Sequence, residues 1–211
     1  MRPLLRARGH ELFTPTHTGL GERAHLATPD IDLETHIADI LGVLRFEDLR
    51  NVILVGHSYG GMVATGVADR ARERIATLVY LDAFAPRDGE SLFDFVPGRR
   101  PNAGETMLPP NPMPADTPAV DKAWAMPLRM PQPVKTFEQK LRLQNGELTL
   151  PRHYIYCKRC SPDDRFRKFY ERAKLEGWGT DEIDASHNPH ITAPEALAAL
   201  LDGIAAGQPA A

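Results

Sequence analysis

The sequence predicts an α/β fold, a mostly parallel sheet covered by helices on both faces. Three observations predict it. Short apolar runs alternate along the chain with segments of helical periodicity, the mark of strands joined by helices. Two of the runs, residues 51–55 and 75–81, are apolar without alternation, as strands buried on both faces are. The 211 residues, 42% hydrophobic and 25% charged, suit one globular domain with a sizeable core.

The elements follow in order. Residues 11–15, after a Gly9-His10 turn, read as a short strand. Leu33, Ile37, Ile40, Leu41 and Leu44 have helical spacing and predict a helix over 33–44. The run 51–55 predicts a strand, 61–72 a helix and 75–81 the next strand. Residues 153–157 predict another. Ser161 as cap, Pro162 in the first turn and an acidic residue three after the Ser predict a helix over 161–174. A short strand at 182–183 and a helix over 194–201 complete the pattern. Residues 87–150 break the rhythm with ten of the 19 prolines and four of the 6 methionines. So long an interruption is a functional insertion or a linker. Trp124, Met126, Leu128 and Met130 make it too apolar for a linker and predict a cap over a site, within one domain spanning 1–211.

The bulk properties exclude some functions. The net charge is −3 and no basic stripe is present, which argues against nucleic acid as a partner. The apolar stretches are too short to span a bilayer. Residues 1–6 have no apolar signal core, so the expected compartment is cytoplasmic. Cys157 and Cys160 form a lone Cys-x-x-Cys. A zinc site needs a second ligand pair, so no metal and no cofactor is expected, and the two read as unlinked thiols.

Gly56-His57-Ser58-Tyr59-Gly60 matches Gly-x-Ser-x-Gly, the nucleophile elbow. The pattern alone is weak, and a Gly-rich turn would satisfy it. Here it follows an apolar strand directly and opens a helix, which is the required setting. Gly56 and Gly60 would let strand and helix approach, with Gly61 adding room. Ser58 then stands at the carboxyl edge of the sheet, where open α/β sheets hold ligands. The Tyr59 backbone N–H would face a developing oxyanion.

A hydroxyl needs a base. His187, first after the last short strand, is preferred over His190. The base needs an acid to orient it. Asp82 ends an apolar strand, where a carboxylate must find a partner. The alternative acid, Asp163, and its neighbour Asp164 follow the later strand and already have a helix-start role. Asp82 is preferred, and the alternative stays open.

Residues 9–15 (GHELFTP), 18–23 (TGLGER), 55–62 (VGHSYGGM) and 80–86 (YLDAFAP) resemble bacterial esterase-type members of the plant methylesterase and hydroxynitrile lyase group. Tyr154-Ile155-Tyr156-Cys157 and Ser186-His187-Asn188-Pro189 continue the likeness over nearly the whole chain. The resemblance implies the α/β-hydrolase fold with a cap, no metal, Ser58 as nucleophile and His187 as general base. In better-known members an Asp stands shortly after the Tyr-Ile-x-Cys strand, where this chain has Lys158-Arg159-Cys160-Ser161. Tyr80-Leu81-Asp82-Ala83 is similar instead to the strand end that carries the catalytic Glu of haloalkane dehalogenases. The family also begins with a strand and a His-Gly loop that help form the oxyanion hole, and this chain starts after both. The resemblance therefore implies a weakly active chain with an unpaired strand edge at residues 12–14 or 52–55, and a possible homo-oligomer. The expected activity is hydrolysis of small apolar carboxylic esters, with a small-molecule ester as the partner. The alternatives are cyanohydrin cleavage, which requires a Lys that no position clearly offers, and a non-catalytic binding protein.

Overall fold

Asp32 caps the first long helix by accepting a hydrogen bond from the Thr35 N–H at 2.9 Å. In the computed structural model, which describes residues 1–159 and 164–207, a short helix α1 (Arg2–Arg6) precedes that helix, α2 (Leu33–Phe46). There follow β1 (Val52–Ser58), α3 (Gly60–Arg70) and β2 (Ile75–Ala83). The interruption folds into short pieces: α4 (Leu92–Phe95), β3 (Met107–Leu108), α5 (Ala119–Ala125), β4 (Gln132–Pro133) and α6 (Lys135–Glu138). The chain then returns as β5 (Arg152–Cys157), α7 (Arg167–Leu175), β6 (Gly179–Ile183), α8 (Pro189–Thr192) and α9 (Pro194–Ala205).

The main sheet is parallel, in the order β1-β2-β5-β6. The two-residue period of a strand divides its side chains between two cores. Leu78 and Tyr80 of β2 join Tyr154 and Tyr156 of β5 on the face covered by α2, α3 and α7. Val79 and Leu81 join Ile155, Cys157 and Ile183 on the other face, under α9 and Met1. The central strands β2 and β5 are thus buried on both faces, as their composition requires.

Three expectations need correction. Residues 11–15 form no strand, because no neighbouring strand offers them a ladder. The run at 51–55 forms a strand but is not buried on both faces: β1 lies at the edge of the sheet, as the resemblance implied for residues 52–55, and Val55 is 39% exposed. The helix expected over 161–174 begins at Arg167, whose N–H bonds Asp164 Oδ1 at 3.0 Å; Ser161, Pro162 and Asp163, with Cys160, lie outside the described residues. Within the insertion, the apolar side chains of Trp124, Met126 and Leu128 are 62%, 50% and 64% exposed.

Two close contacts set the position of α3. A Cβ on Gly56 would lie 2.7 Å from the Gly60 carbonyl oxygen, and one on Gly61 would lie 2.0 Å from the Phe84 carbonyl oxygen. Gly60 has open space, so Gly61 rather than Gly60 is the residue that must stay bare beside Gly56. At the far end of α3, the buried carboxylate of Asp69 accepts from the N–H groups of Gln144 (2.6 Å) and Asn145 (3.1 Å) and pairs with Arg72, which pins the returning insertion. Gly61→Ala is expected to destabilise the fold by about 3 kcal/mol, the upper part of the usual range for overpacking. Gly60→Ala should be close to neutral. Urea unfolding midpoints with an unchanged m-value check both.

Candidate active site

Ser58 is the last residue of β1, and α3 starts two residues later. Its φ is +54°, in the left-handed region that a side chain normally avoids. Backbone of this kind persists only where the surroundings impose it. Here the bare Gly56 and Gly61 let α3 close down on the strand ends, and the Phe84 N–H bonds the Ser58 carbonyl at 3.2 Å. Tyr59 directly precedes α3, so its backbone N–H belongs with the helix-start donors that lack helical partners.

Asp82 is set by a second irregularity. His57 pairs with Leu81, but Ser58 pairs with Ala83, so Asp82 is an extra residue in β2. A β-bulge re-aims a side chain and bends its strand, and the φ of +41° at Asp82 fits that geometry. The Tyr154 hydroxyl holds the bulge from β5. It accepts from the Ala83 N–H at 3.1 Å and donates to the Ala83 carbonyl at 2.8 Å. Burial pushes the Tyr154 phenol well above its usual pKa, so the donating proton stays in place.

His187 lies between β6 and α8 and joins the two. Its Nδ1 is 2.7 Å from Asp82 Oδ2 and its Nε2 is 3.0 Å from Ser58 Oγ. The Asp82 side chain is 3% exposed against 32% for His187, so the chain runs from a buried acid outward to an accessible base. Desolvation raises the Asp82 pKa; hydrogen bonds from His187 and from the Cys157 N–H (3.3 Å) oppose it. Phe166 stacks on the His187 ring at 4.9 Å and His57 flanks it at 4.6 Å. The structure therefore brings Ser58, His187 and Asp82 together. His190 does not reach Ser58, and its ring packs 5.0 Å from His57. Asp163 lies outside the described residues, and Asp164 accepts hydrogen bonds from Arg167 and from the Tyr156 hydroxyl.

Three residues at the site escaped the sequence reading. The His57 Nε2 lies 2.6 Å from the His187 carbonyl oxygen. His36 bonds the Thr18 carbonyl through Nε2 (3.0 Å) and the Tyr59 hydroxyl through Nδ1 (2.9 Å). A carbonyl only accepts, so Nε2 carries the proton, Nδ1 accepts, and the tyrosine donates. His17 stacks on His36 at 4.6 Å, and burial pushes its pKa down to about 4. Helical spacing was a usable signal for His36, because residues 33, 36, 37 and 40 share the face of α2 turned to the core. Among the described residues no group of three or more His, Cys, Asp or Glu side chains could hold a metal ion, and no helix is long and apolar enough to cross a membrane.

Comparison with known proteins adds to this geometry. Residues 1–200 match the family model described as "Alpha/beta hydrolase family". A carbendazim hydrolyzing esterase from Nocardioides sp. (strain SG-4G) is 38% identical over 93% of this chain and 89% of its own length. A pyrethroid hydrolase from Sphingobium wenxiniae is 35% identical over 48% of this chain and 36% of its own. Among solved structures, an extracellular α/β-hydrolase from a Paenibacillus species superposes with a TM-score of 0.79 at 24% identity, covering 93% of this chain and 88% of that one. A methylesterase from Arabidopsis gives 0.77 at 23% identity, over 97% and 91%.

Tyr154→Phe keeps the ring and removes the hydroxyl that satisfies both backbone groups of Ala83. It is expected to lower stability by about 1–3 kcal/mol, the usual penalty for buried polar groups left unpaired. A thermal midpoint equal to that of the parent chain would show that the bulge is held by other contacts.

Proposed function

Since the chain belongs to the α/β-hydrolase family and is an esterase-type hydrolase, we propose that it cleaves small apolar carboxylic esters through Ser58, His187 and Asp82. The observation that carries this reading is the unbroken line of hydrogen bonds from Asp82 to His187 to Ser58, with distances of 2.7 and 3.0 Å. His187 Nε2 takes the hydroxyl proton as Ser58 Oγ attacks the ester carbon. The negative oxygen of the tetrahedral intermediate faces the Tyr59 N–H. The His187 imidazolium, held by the Asp82 carboxylate, gives its proton to the departing alcohol and leaves an acyl-enzyme. Water, deprotonated by the same imidazole, releases the acid and restores Ser58.

The relatives support the class of bond broken, since one is named for hydrolysing carbendazim and another for hydrolysing pyrethroids. The substrate proposed here is a small ester with apolar groups, bound beside the ring cluster of Phe84, Phe95 and Phe166 that adjoins His187. The insertion over residues 87–150 is proposed as its cap. Neither a metal nor a cofactor enters any step.

A fluorophosphonate probe tests the nucleophile. Labelling is expected in the parent chain and absent in Ser58→Ala, whose turnover of p-nitrophenyl acetate should fall on the order of 10⁴-fold or more. Labelling that survives the substitution rejects the assignment.

Asp82→Asn separates catalysis from stability. Turnover should fall about 10⁴-fold, because the imidazole loses both its tautomer and its counter-charge. The sign of the stability effect follows from the raised pKa. A carboxyl group whose pKa is higher in the folded state contributes stability below its unfolded pKa, and that contribution is lost as pH rises through the folded value. At neutral pH the ionised Asp82 is therefore an electrostatic burden, and the Asn variant should melt no lower than the parent. A variant with full activity, or with a sharply lowered melting point, contradicts this account.

A further inference from the structure

His57 occupies the variable position before the nucleophile, and no step of the proposed reaction uses it. Its Nε2 lies 2.6 Å from the backbone oxygen of His187, 130 residues further on. The oxygen can only accept, so Nε2 carries the hydrogen of a neutral ring. The bond closes a loop. From Ser58 Oγ the path crosses to His187 Nε2 (3.0 Å), follows that residue to its carbonyl, crosses to His57 (2.6 Å) and returns through one peptide bond to Ser58. The nucleophile and its base are thus joined twice, once by the bond along which the proton moves and once by a bond between backbone and side chain.

We propose that His57 is a positioning residue that fixes the backbone of His187, and with it the distance from Nε2 to Ser58 Oγ. This rests on the reading of Ser58 and His187 given above. The segment that carries His187 needs such a tether. It lies beyond the end of β6, outside the ladder of the sheet, and α8 after it is only 4 residues long. Phe166 holds one face of the imidazole by stacking and Asp82 holds its Nδ1, and both act on the ring rather than on the backbone. The hydrogen bond from His57 holds the backbone oxygen of His187 itself.

The surroundings also keep His57 neutral. Desolvation holds its pKa well below the usual imidazole value, and the neighbouring His187 and His190 rings lower it further. His190, itself pushed down to about 4 by burial, faces His57 from α8, with the Met1 amino group beyond it. Asp82 faces His187 from the opposite side. A neutral His57 keeps a second positive charge away from the imidazolium that forms on His187, 4.6 Å distant.

His57→Leu fills the space without a donor, and His57→Gln restores an N–H of similar reach. With p-nitrophenyl acetate, His57→Leu is expected to lower kcat about 10²-fold, the scale of a small misplacement of reacting groups. KM should stay within about threefold, because substrate contacts are untouched. His57→Gln should recover most of kcat. The low-field proton resonance of His187 Nδ1 gives a readout that needs no turnover: it should persist in the parent chain and in His57→Gln and be lost in His57→Leu. Unchanged kcat and an unchanged resonance in His57→Leu overturn the proposal. So does an equal fall in both variants, which would assign His57 a packing role only. Ser58→Ala in the same series separates the two readings. If it abolishes fluorophosphonate labelling while His57→Leu stays fully active, only the tether is rejected; if labelling survives it, the nucleophile assignment and the tether fall together.

Discussion

The hydrogen bond between Asp82 Oδ2 and His187 Nδ1 joins residues 105 positions apart, and it exists because β2 carries an extra residue at its carboxyl end. In a regular strand, position 82 would continue the alternation that sends Tyr80 to one core and Leu81 to the other. The extra residue interrupts that alternation at the carboxyl end of the sheet, and the carboxylate turns toward β5 and the segment beyond β6. Every other part of the arrangement assumes this turn. Tyr154 is spent on the two backbone groups of Ala83, Cys157 lends its N–H to Asp82, and α3 comes down close enough that Gly61 touches the Phe84 carbonyl.

Two left-handed residues, Ser58 and Asp82, therefore face each other across neighbouring strand ends. Each is unfavourable by itself, of order 1–3 kcal/mol. Each is held by groups from the interior, where side chains are close-packed and cannot yield. This pair lies at the edge of the sheet where α/β proteins place their ligands, and the cores on the two faces remain regular. That separation lets a buried carboxylate, an accessible imidazole and a half-buried hydroxyl stand within a few ångströms of one another.

The parts of the structure legible in the sequence were those in which local pattern and tertiary environment agree. The central strands, α2, α3 and the last helix follow from runs and periods, and Ser58 from a motif in its proper setting. Asp82 was legible for a chemical reason, since a carboxylate at the end of an apolar strand has to be paired. What escaped depended on neighbours. Nothing within residues 11–15 says whether a partner strand stands beside them, and the run 51–55 alone does not say that β1 is an edge, which only the family resemblance implied. The bulge cannot be seen in β2 alone, because register belongs to two strands at once. The roles of His57 and His36 were hidden for the same reason: each is defined by a carbonyl far away in sequence, at His187 and at Thr18.

The parallel pairing of β2 with β5 has a bearing on how the chain reaches this state. Leu78 pairs with Arg152 and Leu81 with Ile155, so the two central strands can meet only after the whole proline-rich insertion has been looped out. Closing so long a loop is entropically uphill before any contact repays it, and topologies dominated by distant pairings fold slowly. Peptide bonds preceding the ten prolines of the insertion add slow cis–trans isomerisation, on a scale of tens to hundreds of seconds. The β1–β2 hydrogen-bond ladder and α3 involve nearer neighbours and can form first. Ser58 and its elbow would then be complete while Asp82 still awaits the Cys157 N–H and His187. A chain that folds in this order has its serine in place before its imidazole, and its competence then marks the long-range closure rather than the collapse of the core.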